Sequence, residues 1–223
     1  MKESFWHDRW ESGQLGFHQE KINSLLPKYW PRLGLSCDET VFVPLCGKSL
    51  DMTWLREQGH PVIGIELSPI AIKDFFDAAS LPCLEDGHGP LRRFSGAGYE
   101  LYCGDFFDLE AADLEDVRAV YDRASLIALP PDLRARYAEK LISALPAEAK
   151  IFLITIEYDQ SKMNGPPHSV PPAEVETLFG DAFEIEDLET SPPSDPGPRF
   201  KERGLDVWQE HVKLLTRRGR SAQ

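Results

Sequence analysis

The feature that most restricts the fold of this chain is an alternation of two patterns. Short β-branched and aromatic runs at residues 40–45, 61–67, 99–103, 119–122 and 150–156 are each bounded by turn residues, as buried strands are. Stretches with helical spacing lie between them. Ser68 as N-cap and Pro69 at the first helical position open a helix that carries Ile70, Ile72, Phe75 and Phe76 to about Ala79. A second helix spans 131–145, where Leu133, Tyr137 and Leu141 recur every four residues and share a face. Residues 205–216 supply one or two late strands. Strands that alternate with helices make βαβ units, so the expected class is α/β, doubly wound, with a mostly parallel sheet. At 223 residues the chain has the length of a single domain, 1–223. Residues 1–33 precede the first strand and carry Phe5, Trp6, Trp10 and Phe17, which makes them a helical cover over an α/β core at 34–223. The proline-rich stretch 191–199 is a second loop of the kind that covers sites.

Composition removes several function classes. A net charge of −13 leaves no basic footprint for tracking phosphate backbones, so no nucleic-acid partner is expected. No apolar run reaches the roughly 18 residues of a membrane span, and the first residues lack the apolar centre of a signal peptide. Cys37, Cys46, Cys83 and Cys103 are scattered, with no CxxC pair. They are expected to be free thiols of a cytoplasmic protein, with no metal site. The acidic surface favours a monomer.

The chemistry concentrates after the first strand. Ligands of doubly wound sheets bind beyond the carboxyl ends of the strands, and a glycine turn there lets backbone N–H groups face them. Gly47-Lys48-Ser49 imitates the end of a phosphate-binding loop, but the required second glycine is Phe42. The dinucleotide fingerprint fails as well, because Gly47 stands alone. Glu66 ends the second strand nineteen residues after Gly47, the placement of a carboxylate that accepts from both ribose hydroxyls. The alternative is a solvent-exposed strand-end glutamate. A glycine turn and an acidic strand end suit an adenosine cofactor. Without the pyrophosphate glycines, S-adenosylmethionine fits better than NAD.

Several blocks, in order along nearly the whole chain, resemble the thiopurine S-methyltransferase family, and its bacterial branch most. They are residues 5–10 (FWHDRW), 16–19 (GFHQ), 43–52 (VPLCGKSLDM), 64–68 (GIELS), 103–107 (CGDFF), 121–124 (YDRA), 165–167 (GPP) and 204–206 (GLD). The resemblance implies a class I methyltransferase, Rossmann-like, with a seven-stranded sheet whose last strand is antiparallel. It also implies S-adenosyl-L-methionine as cofactor and a small-molecule thiol as acceptor. Trp6 and Trp10 then lie on a segment that closes over the methionine end of the cofactor, where an indole face suits a sulfonium cation; alternatively, these rings pin the N-terminal helix to the core. Leu45 and Gly47 supply backbone contacts and Glu66 holds the ribose. Asp105 accepts from the adenine amine, while Phe106 packs on the ring or offers its N–H. Arg123 partners the cofactor carboxylate or a substrate anion, or else forms a salt bridge with Asp122 or Asp132. Phe17 packs against a heterocyclic acceptor and Arg199 lies near it. His168 stands where the family pattern has an aromatic, and His18 is structural.

The implied reaction moves a methyl group from the sulfonium to the sulfur of a thiopurine or similar aromatic thiol. Selenium or tellurium compounds are further acceptors in detoxification. It needs no strong general base, so no residue is assigned as catalytic in the strict sense. Two other readings stand beside it: a halide or thiol methyltransferase, and a module that binds S-adenosylmethionine without turnover. A nicotinamide-dependent oxidoreductase is disfavoured by the missing glycines.

Overall fold

The structure is a computed structural model that describes residues 3–16 and 18–219. The chain divides into two compact units, Met1–Tyr121 and Asp122–Gln223. The first contains α1 (Glu3–Glu11), α2 (Leu25–Tyr29), β1 (Thr40–Val43), α3 (Leu50–Glu57), β2 (Val62–Glu66), α4 (Pro69–Ala78), β3 (Leu84–His88), β4 (Leu91–Gly96), β5 (Tyr99–Cys103) and β6 (Val117–Asp122). The second contains α5 (Ser125–Ala128), α6 (Pro131–Ala144), β7 (Lys150–Glu157), α7 (Pro172–Phe179), β8 (Phe183–Thr190), α8 (Pro198–Lys201) and β9 (Gln209–Arg217).

In the first unit the strands run β3-β4-β5-β2-β1-β6. β5, β2, β1 and β6 are parallel, and the β3–β4 hairpin adds antiparallel to β5. From β1 the chain moves outward to β2 and later returns to β6 on the other side. The switch of direction therefore falls at the carboxyl end of β1, where such sheets bind ligands. Burial explains the strength of the sequence signal: Val41, Phe42, Val62, Ile65, Leu101 and Val120 are each at most 1% exposed. In the second unit β9 lies between β7 and β8, antiparallel to both. The antiparallel last strand matches the family expectation.

The five strands and two helices read from sequence are present, within two residues at each end. The described residues form nine strands against the seven expected. The additional pair is the β3–β4 hairpin. β3 is a charged segment, almost wholly exposed, with Arg92–Glu85 and Arg93–Asp86 ion pairs across to β4, so it has no apolar run to announce it. β8 was also unread, and residues 205–216 hold one strand, β9, rather than two. Ser68 does occupy the N-cap of α4, but its hydroxyl makes no capping bond.

Gly64 sits in the middle of β2, and a Cβ there would lie 2.8 Å from Leu101 Cδ2 and 2.9 Å from Cys46 Sγ. The missing side chain is what lets the turn after β1 fold against β2. Gly64→Ala should lower unfolding free energy by about 1–3 kcal/mol through overpacking, read as a shift in denaturant midpoint at constant slope. An unchanged midpoint would show that the turn has room to move.

Candidate functional site

The turn after β1 is built under strain. Leu45 has φ 44° and Gly47 φ 54°. A left-handed leucine is costly, and such outliers persist where surrounding contacts enforce them. Here the enforcing contacts are backbone bonds to β2. Cys46 N–H donates to the Ile65 carbonyl at 2.9 Å, and Gly47 N–H donates to Glu66 Oε2 at 3.0 Å. Ser49 then caps α3 by accepting from Asp51 N–H at 3.2 Å. Lys48 and Ser49 thus belong to a strand-to-helix turn.

Glu66 is 7% exposed, which overturns the reading of a solvent-exposed strand end. Its second oxygen, Oε1, accepts from Ser68 N–H at 2.8 Å. The carboxylate therefore bridges the ends of β1 and β2 and the start of α4. Burial pushes its pKa up to about 7, against the lowering effect of the Ser68, Gly47 and Leu67 N–H groups. The neighbouring Cys46 thiol is raised by burial first and by the Glu66 charge second. Ser68 Oγ is buried beside this carboxylate without a hydrogen-bond partner.

The next turn follows β5. Cys103 is in register with Glu66, and Gly104 N–H donates to the Glu66 carbonyl at 3.0 Å, so residues 104–106 lie alongside the Glu66 end of β2. Asp105 accepts from Phe107 N–H at 3.0 Å through Oδ1, capping a short helical turn. The Phe106 ring is buried and stacks on Phe42 with ring centroids 6.5 Å apart.

Trp10 joins the same group. It is 5% exposed, and its Cζ2 lies 3.5 Å from where a Gly47 Cβ would be. Trp6 is half-buried and meets Phe5 edge to face at 5.2 Å. The first unit thus gathers Trp10, Leu45, Gly47 and Glu66, with Asp105 and Phe106 on the adjacent turn. Phe17 lies outside the described residues.

In the second unit, Arg123 follows β6 and is half-buried. Asp122, one alternative salt-bridge partner, is taken up by Tyr137 Oη at 2.6 Å and by Ser125 N–H at 3.1 Å. The Arg123 charge also reaches Glu210 of β9, whose pKa burial raises and the arginine lowers. The Arg199 guanidinium lies 5.6 Å from the Phe200 ring. His168 is half-buried, and burial, followed by the Arg134 charge, lowers its pKa, which favours neutral imidazole.

Two braces went unseen in the sequence. Arg203 donates to the Pro166 and Gly165 carbonyls at 3.0 and 3.1 Å, and Tyr158 Oη donates to the Pro167 carbonyl at 2.6 Å. Arg203 is far in sequence from the loop it holds, whereas Tyr158 lies nine residues before Pro167. Only the arginine just before Gly204-Leu205-Asp206 could have drawn attention to it.

The chain is similar to known proteins over nearly its whole length. The family model described as Thiopurine S-methyltransferase matches residues 1–218. A thiopurine S-methyltransferase of Nitrosospira multiformis is 45% identical over 225 residues, covering 98% of this chain and 99% of that protein. A probable thiopurine S-methyltransferase of Yarrowia lipolytica is 47% identical over 216 residues, covering 96% and 100%. Among solved structures, a 1,6-didemethyltoxoflavin-N1-methyltransferase of Burkholderia thailandensis with bound S-adenosylhomocysteine has a TM-score of 0.61 at 16% identity, covering 96% of this chain and 87% of that one. A SAM-dependent methyltransferase from Anabaena variabilis reaches 0.65 at 13% identity, covering 97% and 95%. At these identities the structures establish the class I methyltransferase fold.

The unfolded chain releases the Glu66 proton near pH 4.5 and the folded chain near 7. Stability of the ligand-free protein should therefore fall as pH rises across that window, by about 3 kcal/mol at most. Glu66→Gln has no proton to lose and should flatten this part of the profile in urea unfolding. A profile that keeps its slope in the variant would move the responsible group elsewhere.

Proposed function

We propose, for a chain that belongs to the thiopurine S-methyltransferase family, that Glu66 anchors the ribose of S-adenosylmethionine at the end of β2 and that the chain methylates the sulfur of thiopurine-type acceptors. The observation that carries this reading is the buried Glu66 carboxylate, held by backbone at the switch point of a class I methyltransferase fold. The donor set fits the cofactor. A diol needs a carboxylate acceptor, and one is present. The strained turn brings backbone rather than side chain toward the ligand. The unpartnered Ser68 hydroxyl is a further polar group at the same place. No pyrophosphate-binding glycines accompany it, as suits a cofactor without phosphate.

Under this reading Leu45 and Gly47 face the cofactor with main chain, and Trp10 and Trp6 cover its methionine end. Asp105 and the Phe106 N–H flank the adenine. Arg123 binds an anionic group, either the cofactor carboxylate or the acceptor. Arg199 and Phe17 belong to the acceptor side. Residues 1–223 act as one methyltransferase domain with 1–33 as its cover, a reading supported by a family match that runs through residue 218.

When bound, S-adenosylmethionine supplies an electrophilic methyl group on a positively charged sulfur. The chain's own residues hold and orient the reactants, and such positioning can supply on the order of 7–11 kcal/mol. Arg123 stabilises the ionised form of an acidic thiol, so no general base is required. That contribution is bounded: the acceptor's charge is neutralised in the transition state, and an over-tight ion pair would slow transfer. Relatives named as thiopurine S-methyltransferases support a small-molecule acceptor. Among the described residues, no helix is long and apolar enough to cross a membrane. All four cysteines are free thiols, which supports a cytoplasmic setting. We take the protein to act as a monomer.

Two variants test the assignments. Glu66→Ala should weaken S-adenosylhomocysteine binding in calorimetric titration by roughly 1.5–3 kcal/mol. Wild-type affinity should also strengthen as pH rises through about 7, because ribose hydroxyls donate to the ionised form. Arg123→Ala should lower methyl transfer to 6-mercaptopurine while the melting temperature holds. A lower melting temperature with full turnover would reassign Arg123 to a structural salt bridge.

A further inference from the structure

Gly47-Lys48-Ser49 leaves one residue whose chemistry the cofactor reading does not use. Lys48 Nζ lies 2.9 Å from Asp74 Oδ2 on α4 and 5.7 Å from the centroid of the Trp10 ring on α1. We propose that Lys48 is a positioning residue for Trp10: clamped by Asp74, its ammonium holds the indole against the Gly47 turn. The inference rests on the reading above that Trp10 covers the sulfonium end of the cofactor.

The first reason is the poverty of the α1 anchor. Among its described side chains only Trp10 is buried, and the rest are half or fully exposed. A nine-residue helix is marginal by itself and takes its place from tertiary packing. The orientation of the indole and the docking of the helix are therefore one problem.

The second reason is the geometry of the clamp. Trp10 packs on Gly47, the residue before Lys48, and α1 packs on α4, which carries Asp74. One lysine thus links the turn, the helix bearing the indole and the helix bearing the acid. Its side chain is 21% exposed, so solvent screens the ammonium only in part. An ammonium within about 6 Å of an indole is attracted to its face.

The third reason is charge. A bare cation beside Trp10 would repel a sulfonium. Asp74 offsets the lysine charge, so the ring can be held without that penalty. A direct role on a ligand anion fits less well, because the ammonium already has a carboxylate partner and the second glycine of a phosphate-binding loop is Phe42.

The test is calorimetric titration of the full chain with S-adenosylmethionine and with S-adenosylhomocysteine. The proteins are wild type, Lys48→Met, Lys48→Arg and Asp74→Asn, with Lys48→Met also made in a Trp10→Phe background. Lys48→Met and Asp74→Asn should each weaken S-adenosylmethionine binding by about 3- to 10-fold. The neutral product should lose less, because only the sulfonium carries charge for the ring to attract. KM for the donor should rise by more than kcat falls, Lys48→Arg should recover most of the affinity, and the effect of Lys48→Met should shrink below about 2-fold once Trp10 is Phe. Unchanged affinity in both Lys48→Met and Asp74→Asn would overturn the proposal. So would equal losses for the two ligands, or a full Lys48→Met effect without Trp10, since either assigns Lys48 to the ligand directly. Glu66→Ala separates the levels. If it binds like wild type, the cofactor site itself is misplaced; if it binds weakly while Lys48→Met is silent, only the role of Lys48 fails.

Discussion

A buried carboxylate that takes hydrogen bonds from two turns at once sets the geometry at the carboxyl ends of β1 and β2. Glu66 receives Gly47 N–H on one oxygen and Ser68 N–H on the other. The first bond ties the end of β1 to the end of β2, and the second ties β2 to the start of α4. Backbone donors are the suitable partners, because they cannot swing away. They offset part of the cost of burying the acid but not all of it, which is why the carboxyl remains easier to protonate than in water. A group held this way stays nearly motionless when a ligand arrives, so little reorganisation is needed on binding.

A second buried acid performs a related service below the site. Asp51 is 1% exposed and accepts from Asn23 N–H at 2.8 Å and from Tyr121 Oη at 3.0 Å. It fastens the segment after α1 to the sheet. Nearby, Trp30 Nε1 donates to His60 Nε2 at 3.0 Å, and His60 Nδ1 donates to the Glu39 carbonyl at 2.9 Å, which fixes the tautomer of the histidine. Asp122 plays the corresponding part in the second unit, with Tyr137 and the start of α5 as donors. Each acid satisfies its oxygens with fixed donors, the condition under which a buried polar group orders a core rather than weakening it.

Legibility in the sequence followed apolar burial. β1, β2, β5, β6 and β7 are buried on both faces, so they appear as continuous hydrophobic runs. The β3–β4 hairpin exposes its charged β3 and buries just Leu91 and Phe94 of β4, and β8 alternates weakly. Neither produces a run. The site divided the same way. Gly47 and Glu66 drew notice because turn chemistry and spacing along one βαβ unit single them out, whereas Leu45 followed only from the family resemblance. Arg203 and Tyr158 went unread, because each acts on backbone carbonyls, and a carbonyl leaves no mark in residue identity.

By itself the sequence determined the class of fold, the family and the position of the glycine turn after the first strand. All three depend on local pattern: hydrophobic period, glycine and proline placement, and motif order along the chain. The tertiary structure decided what each charged group does. Glu66 became a buried, backbone-held acid instead of a strand-end surface residue, and Asp122 became a bonded core acid. Lys48, in a run that only imitates the end of a phosphate loop, became the partner of Asp74 and Trp10. Charge follows environment, and the environment of a side chain is set by residues the chain brings near only when it folds.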